Sequence, residues 1–174
     1  GLEEIGEGAF KDCKALLEID LSNTNVTSIT DEAFQGCTNL ETVLLPDGLE
    51  NIGASAFAQT ALNSIVLPET LISIGQRAFQ ATDLVEIRIP ENVSIIDDNA
   101  FYYNLSLEGI VIESEQPFTL GENVFTRHGQ GMHPDINVNS FLNIYVPDES
   151  VDDYKQATNW DYYEVIILSV DLLE

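Results

Sequence analysis

The chain has 174 residues, six basic against thirty acidic, and a net charge of −24. So few cations exclude a nucleic-acid binder, because a run of phosphates would meet no neutralising surface, and a polybasic membrane anchor is excluded with it. A hydrophobic fraction of 44% suits a packed core rather than an acidic disordered chain, and the longest apolar runs, such as residues 165–168, fall far short of the ~18 residues that span a bilayer.

The chain opens inside a repeat, with Leu2 and Ile5 already in repeat columns, so a further coil or a cap upstream is expected. The phenylalanine column then runs Phe10, Phe34, Phe57, Phe79, Phe101 and Phe125, at spacings of 22 to 24 residues. Five residues before each Phe stands an aliphatic residue: Ile5, Ile29, Ile52, Ile74, Ile96 and Leu120. A small residue precedes each ring, alanine in five coils and Val124 in the last. After each of the first five rings comes an L-x-x-I-x-L block that alternates in and out as a strand does, from Leu16-Ile19-Leu21 to Leu107-Ile110-Ile112. A sixth block, Phe141-Ile144-Val146, arrives about ten residues late. A coil of this length cannot bury its apolar face alone, whereas stacked coils bury one continuous core.

The I-G-x-x-A-F stretch reads as a turn and a short helical piece. Gly6, Gly53, Gly75 and Gly121 supply a permissive backbone there. Thr30 and Asp97, which replace Gly, are expected as helix caps. Glu7, Asp31, Asp98 and Glu122 fall in the first turn, where the helix dipole favours acids. The insertion near 126–140 holds His128, His133 and Asp135. Its spacing matches no metal motif and reads as a solvated loop. Beyond it, Ser150 and Asp153 form an S-x-x-D helix start. Val151, Tyr154 and Ala157 follow on one helix face, and Trp160, Tyr163 and residues 165–168 are expected to lie as a lid and final strand on the last coil.

These columns resemble the BspA-type leucine-rich repeat, whose signature is close to L-x-x-I-x-L-P-x-x-L-x-x-I-G-x-x-A-F-x-x-C. The match is fullest from Leu40 through Pro46, Leu49, Ile52 and Gly53 to Phe57, and again from Leu62 through Pro68, Leu71, Ile74 and Gly75 to Phe79. The resemblance implies an α/β, right-handed β/α solenoid of about six coils over residues 1–147, each with a strand and a short helical turn, and a C-terminal cap over 148–174. It also implies a bacterial protein that is secreted or held at the cell surface. Some members of the family are described as adhesins for host matrix glycoproteins.

Cys13 and Cys37 share a column with Thr60, Thr82 and Asn104. A column that accepts small polar residues reads as a buried turn with local hydrogen bonds, so free, buried thiols are expected. The acids Asp47, Glu69, Glu91 and Asp148 follow the strand-ending prolines and read as a solvated, mutually repulsive edge rather than a calcium site. No nucleophile and base, phosphate loop or facing carboxylate pair stands out, so no enzyme, cofactor or metal is expected. The candidate contact surface is the outward column between the last two core residues of each strand: Leu44, Val66, Arg88, Val111 and Tyr145, with Asp20 at its start. An apolar stripe with Tyr and Arg is the composition that carries interface energy. The expected function is a non-enzymatic, monomeric module that binds a protein ligand. The alternatives are an architectural spacer within a larger surface protein, or a carbohydrate-binding module using Tyr145, Trp160 and Tyr163.

Overall fold

A computed structural model describes residues 1–126 and 142–173. The chain is a parallel β-solenoid of about six turns. Each Phe-to-Phe period contributes a two-residue strand before its ring and, in most coils, a longer strand after it. The short strands are β2 (Ser28–Ile29), β4 (Asn51–Ile52), β5 (Ser73–Ile74), β7 (Ile95–Ile96) and β9 (Thr119–Leu120), which join in coil order into one five-stranded sheet. The longer ones are β1 (Glu18–Asp20), β3 (Thr42–Leu44), β6 (Glu86–Ile89), β8 (Gly109–Ile112) and β10 (Asn143–Val146), with β11 (Ile167–Ser169) pairing beyond the last coil. Every ladder is parallel and keeps equivalent residues opposite, as Ile87 opposite Ile110 and Ile110 opposite Ile144.

The core is the set of repeat columns. Phe34, Phe57, Phe79 and Phe101 are at most 1% exposed. Six rings, from Phe10 to Phe125, stack at centroid separations of 5.1 to 5.7 Å. That separation exceeds ring thickness, so the rings are offset, as their quadrupoles favour. Ala33, Ala56, Ala78 and Ala100 are buried beside them.

The stretch leading into each ring is not helical. In each coil a residue with φ between 55 and 59° sits two before the Phe: Gly8, Glu32, Ser55, Arg77, Asn99 and Asn123. Another positive φ sits two after it, at Asp12, Gly36, Gln59, Ala81 and Tyr103. Two left-handed residues within five preclude an α-helix. The backbone follows a run of tight turns, and its N–H groups alternate. The Ala9 N–H donates to Gly6 within the coil, and the Phe10 N–H donates to Ala33 of the next coil at 2.8 Å. The Phe34, Phe57 and Phe79 N–H groups repeat that bond to Ala56, Ala78 and Ala100, each at 2.8 Å.

Glycine in the I-G column answers close approach rather than positive φ. A Cβ on Gly75 would lie 2.8 Å from the Gly53 carbonyl carbon, and one on Gly53 would lie 2.7 Å from the Asp31 nitrogen. Thr30 and Asp31 cap no helix. The Thr30 hydroxyl donates to the Ile5 carbonyl at 2.8 Å, and the Asp31 carboxylate accepts the Ala54 N–H at 2.7 Å, both across coils. Asp98 accepts the Glu122 N–H in the same way.

Past β10, helix α1 (Val151–Gln156) begins after Ser150, whose hydroxyl donates to the Glu115 carbonyl at 2.6 Å instead of capping the helix. Trp160 is fully buried edge-on against Phe118, and its ring N–H donates to the Phe118 carbonyl at 2.9 Å.

Replacing Phe57 by Ala removes a ring that stacks on both neighbours, and should lower unfolding free energy by about 3–5 kcal/mol. Phe10→Ala, at a half-buried position with one stacking partner, should cost less. Denaturant unfolding of both variants measures the difference.

Candidate functional site

The outward face of the longer strands carries the sequence-derived contact column. Pairing aligns Asp20 with Leu44, Arg88 with Val111, Val111 with Tyr145, and Tyr145 with Leu168. Val66 holds the equivalent position in the third coil. The exposures differ widely. Val66 is 85% exposed and Leu44 49%. Arg88 is exposed and reaches Glu113 at 2.8 Å, an ion pair at the surface that adds little stability. Tyr145 is half-buried.

Val111 is 2% exposed, contrary to its expected place on an open face. Arg88 and Tyr145 flank it in the ladder, and Leu173, from the last 3-10 turn (Val170–Leu173), joins Val111 and Tyr145 around a concavity of about 290 Å³. Gly109 opens the floor of this hollow, where a Cβ would come within 3.4 Å of Glu86 Cγ.

A second concavity, of about 240 Å³, lies between β3 and the third coil, lined by Glu41, Thr42, Leu44, Ser64 and Val66 among others. Here the strand face is interrupted. Residues 64–67 form no strand, and no backbone hydrogen bond joins them to either neighbouring coil. In β3 the Thr42 N–H donates to Leu17 and the Leu44 carbonyl accepts from Leu21. Successive residues of a strand turn their groups to opposite sides, so Val43 offers its N–H and carbonyl to the third coil and meets no partner. Nothing in the L-x-x-I-x-L columns signals this, because Leu62, Ile65 and Leu67 fill them. One count does change here: Leu40 is the sixth residue after Phe34, and Leu62 the fifth after Phe57.

The other candidate positions sort by burial. Cys37 is buried, its thiol donating to the Phe10 carbonyl at 2.9 Å, and burial pushes its pKa up. Cys13 is free but exposed, not buried as expected. Thr60 and Asn104 are buried and bond to Phe carbonyls of the turns. Asp47, Glu69, Glu91 and Asp148 are exposed. Among the described residues, no three His, Cys, Asp or Glu side chains converge to hold a metal. His128, His133, Asp135 and Phe141 lie outside the described residues. Trp160 and Tyr163 are 0% and 3% exposed, so they offer no ring face to a glycan. Among the described residues no helix is long and apolar enough to cross a membrane.

A family model for the BspA type leucine-rich repeat region matches residues 3–130 in six copies. The chain belongs to the BspA-type leucine-rich repeat family. It is similar to a leucine-rich repeat protein of Bacteroides ovatus, at 28% identity and TM-score 0.60, over 85% of this chain and 48% of that one. It is also similar to a T. pallidum leucine-rich repeat protein, at 27% identity and TM-score 0.63, over 72% of this chain and 70% of that one. A third similar structure is a leucine-rich cell surface protein of Faecalibacterium prausnitzii, at 25% identity and TM-score 0.53, over 64% of this chain and 33% of that one. This chain thus spans about half the length of the B. ovatus structure. No match was found among curated proteins.

Amides of residues 64–66 should exchange with deuterium faster than those of Ile110 and Ile144, which are held on both sides. Amide exchange followed by NMR reads this directly. A second expectation concerns alkaline pH. Burial raises the Tyr163 phenol from its ordinary 10.0 to about 12, with the Phe125 N–H opposing, and burial raises Tyr154 too. A raised folded pKa means the native state keeps a proton that the unfolded chain releases. The resulting stability is whole below pH ~10 and is lost as the pH rises towards 12. In Tyr163→Phe, unfolding free energy should fall less steeply between pH ~10 and 12 than in the unsubstituted chain, as denaturant unfolding at each pH would show.

Proposed function

We propose that this repeat module binds a protein through its outward strand face, and that it does so at a bacterial cell surface. The observation that carries the reading is the pair of exposed aliphatic residues, Leu44 and Val66, standing in the outward column of an otherwise acidic chain. Apolar surface exposed at two successive positions of the outward column costs solubility and has no role in the core. Leucine-rich repeat domains generally bind proteins, and a similar structure is that of a cell surface protein. The partner class we favour is a host matrix glycoprotein. Residues 148–173 act as the terminal cap of the array in this reading. They cover Phe118 and Phe125 with Tyr154, Trp160 and Tyr163.

Arg88 and Tyr145 flank the apolar pair on the side towards the C-terminus and are of the residue types that anchor interfaces. Binding uses this face as it stands, without a cofactor or covalent step.

Equilibrium binding of the chain to a panel of matrix glycoproteins at physiological salt should be saturable. Tyr145→Asp and Val66→Asp should each weaken it by about tenfold or more, corresponding to ~1.4 kcal/mol, with the melting curve unchanged. Absence of saturable binding to every panel member would instead favour a spacer within a longer chain.

A further inference from the structure

The break in the strand face at the third coil does not follow from the repeat, and it coincides with the most exposed part of the contact column. Three independent features meet there. The first is backbone. The Glu41 and Val43 carbonyls accept nothing from the third coil, although the equivalent Leu17 carbonyl accepts the Glu41 N–H at 2.9 Å and the Val85 carbonyl accepts the Glu108 N–H at 2.8 Å. Across the cleft, the Ser64 and Val66 N–H groups are likewise unmatched. The second is apolar surface. Leu44 and Val66 stand on either side of the cleft, 49% and 85% exposed. The third is charge. Glu18 and Asp20 on β1 and Glu41 beside β3 are exposed, and neither ion pair among the described residues, Lys11 with Glu32 or Arg88 with Glu113, involves them.

A single kind of occupant satisfies all three. The unmatched Glu41 and Val43 carbonyls call for N–H donors and the exposed carboxylates for positive charge, although Asp20 already accepts the Ser22 N–H and hydroxyl. An aliphatic stem between donor and backbone suits Leu44 and Val66, as lysine and arginine side chains lay their methylenes on apolar surface while the head stays polar. The unmatched Ser64 and Val66 amides call for carbonyl acceptors, which an extended peptide backbone provides. A net charge of −24 steers such a segment in and repels an acidic one. The face also accepts an aliphatic side chain within this chain itself, since Leu173 borders the Val111 hollow. We propose that the cleft between β3 and the third coil docks an extended, lysine- or arginine-bearing segment of the partner protein. Its stems rest on Leu44 and Val66, and its cations face Glu18, Asp20 and Glu41. This deepens the protein-binding reading and rests on it.

The test uses the whole chain and a short, dye-labelled synthetic peptide alternating lysine and valine, with a glutamate-for-lysine version as control. Fluorescence anisotropy should show saturable, salt-sensitive binding of the lysine peptide and none of the glutamate one. Leu44→Lys and Val66→Lys should each weaken binding by about tenfold or more. Gln156→Lys adds the same charge on exposed α1, away from the strand face, and should change binding less than about twofold. Circular dichroism melts confirm that the variants fold. In the unsubstituted chain, bound peptide should slow amide exchange at residues 64–66. Equal losses in all three variants would mean diffuse attraction to a polyanion and would overturn the proposal, as would equal binding of the glutamate peptide or no saturable binding. A matrix glycoprotein whose binding falls with Tyr145→Asp but not with Leu44→Lys would also overturn it, while leaving the protein-binding reading intact.

Discussion

Everything in this chain hangs on the registry of one phenylalanine over the next. The stacked rings fix the pitch, and the backbone bonds from the Phe34, Phe57 and Phe79 N–H groups to the alanine carbonyls of the following coils lock the same pitch a few ångströms away. Neither contact is large alone. A net backbone hydrogen bond is worth about 1 kcal/mol, and an aromatic pair adds ~0.5–1.5 kcal/mol beyond burial. Repeated in each coil, they make the coil-to-coil distance the least adjustable quantity in the molecule. The I-G column follows from it in the middle coils: at that pitch a Cβ on Gly75 would lie 2.8 Å from the Gly53 carbonyl carbon, while in an earlier coil the Thr30 hydroxyl donates to the Ile5 carbonyl.

The registry also explains why an A-F stretch with helix-compatible residues does not form a helix. A helix would turn its N–H groups along its own axis and leave none for the next coil. The observed turns send alternate N–H groups outward, at the cost of left-handed conformations at Glu32, Ser55, Gln59, Arg77 and Ala81, among others. Such a residue costs about 1–2 kcal/mol outside glycine, an amount that two new inter-coil bonds and a seated ring offset. The sequence hides this solution because only Gly8 and Gly36 mark the left-handed positions. The columns themselves were plainly legible: the aliphatic, alanine and phenylalanine positions are the buried ones, and the L-x-x-I-x-L blocks supply the longer strands in four of the first five coils.

Legibility falls at the candidate site. Alternation sets Leu44 outward, since strand geometry decides which way a side chain points, and Val66 is exposed although its coil forms no strand. It says nothing about what arrives from elsewhere in the chain. Val111 points outward by alternation and is nevertheless covered, with Leu173 bordering the hollow beside it from more than sixty residues away. Trp160 and Tyr163 fail in the opposite sense: aromatic composition suits a sugar platform, but Trp160 packs on Phe118 and Tyr163 on Phe125, and neither reaches solvent.

The third coil is the harder case, because its columns are complete and its strand is still absent. A residue fewer between Phe57 and Leu62 than between Phe34 and Leu40 shortens the arc, yet the fourth coil is equally short between Phe79 and Leu84 and pairs normally with the fifth. Length alone therefore does not break the ladder. A change of length does not break it either, since the fourth and fifth coils differ in the same way, Leu84 five residues after Phe79 and Leu107 six after Phe101, and still pair. The rings and the short-strand sheet keep their registry across the junction between the second and third coils, with Phe34 on Phe57 at 5.4 Å and Asn51 opposite Ser73 on the far side of the coil. The break is therefore confined to the outward strand. An open ladder in an array otherwise bonded on both sides is a local weak point, and it leaves unmatched backbone groups beside the exposed Leu44 and Val66 side chains.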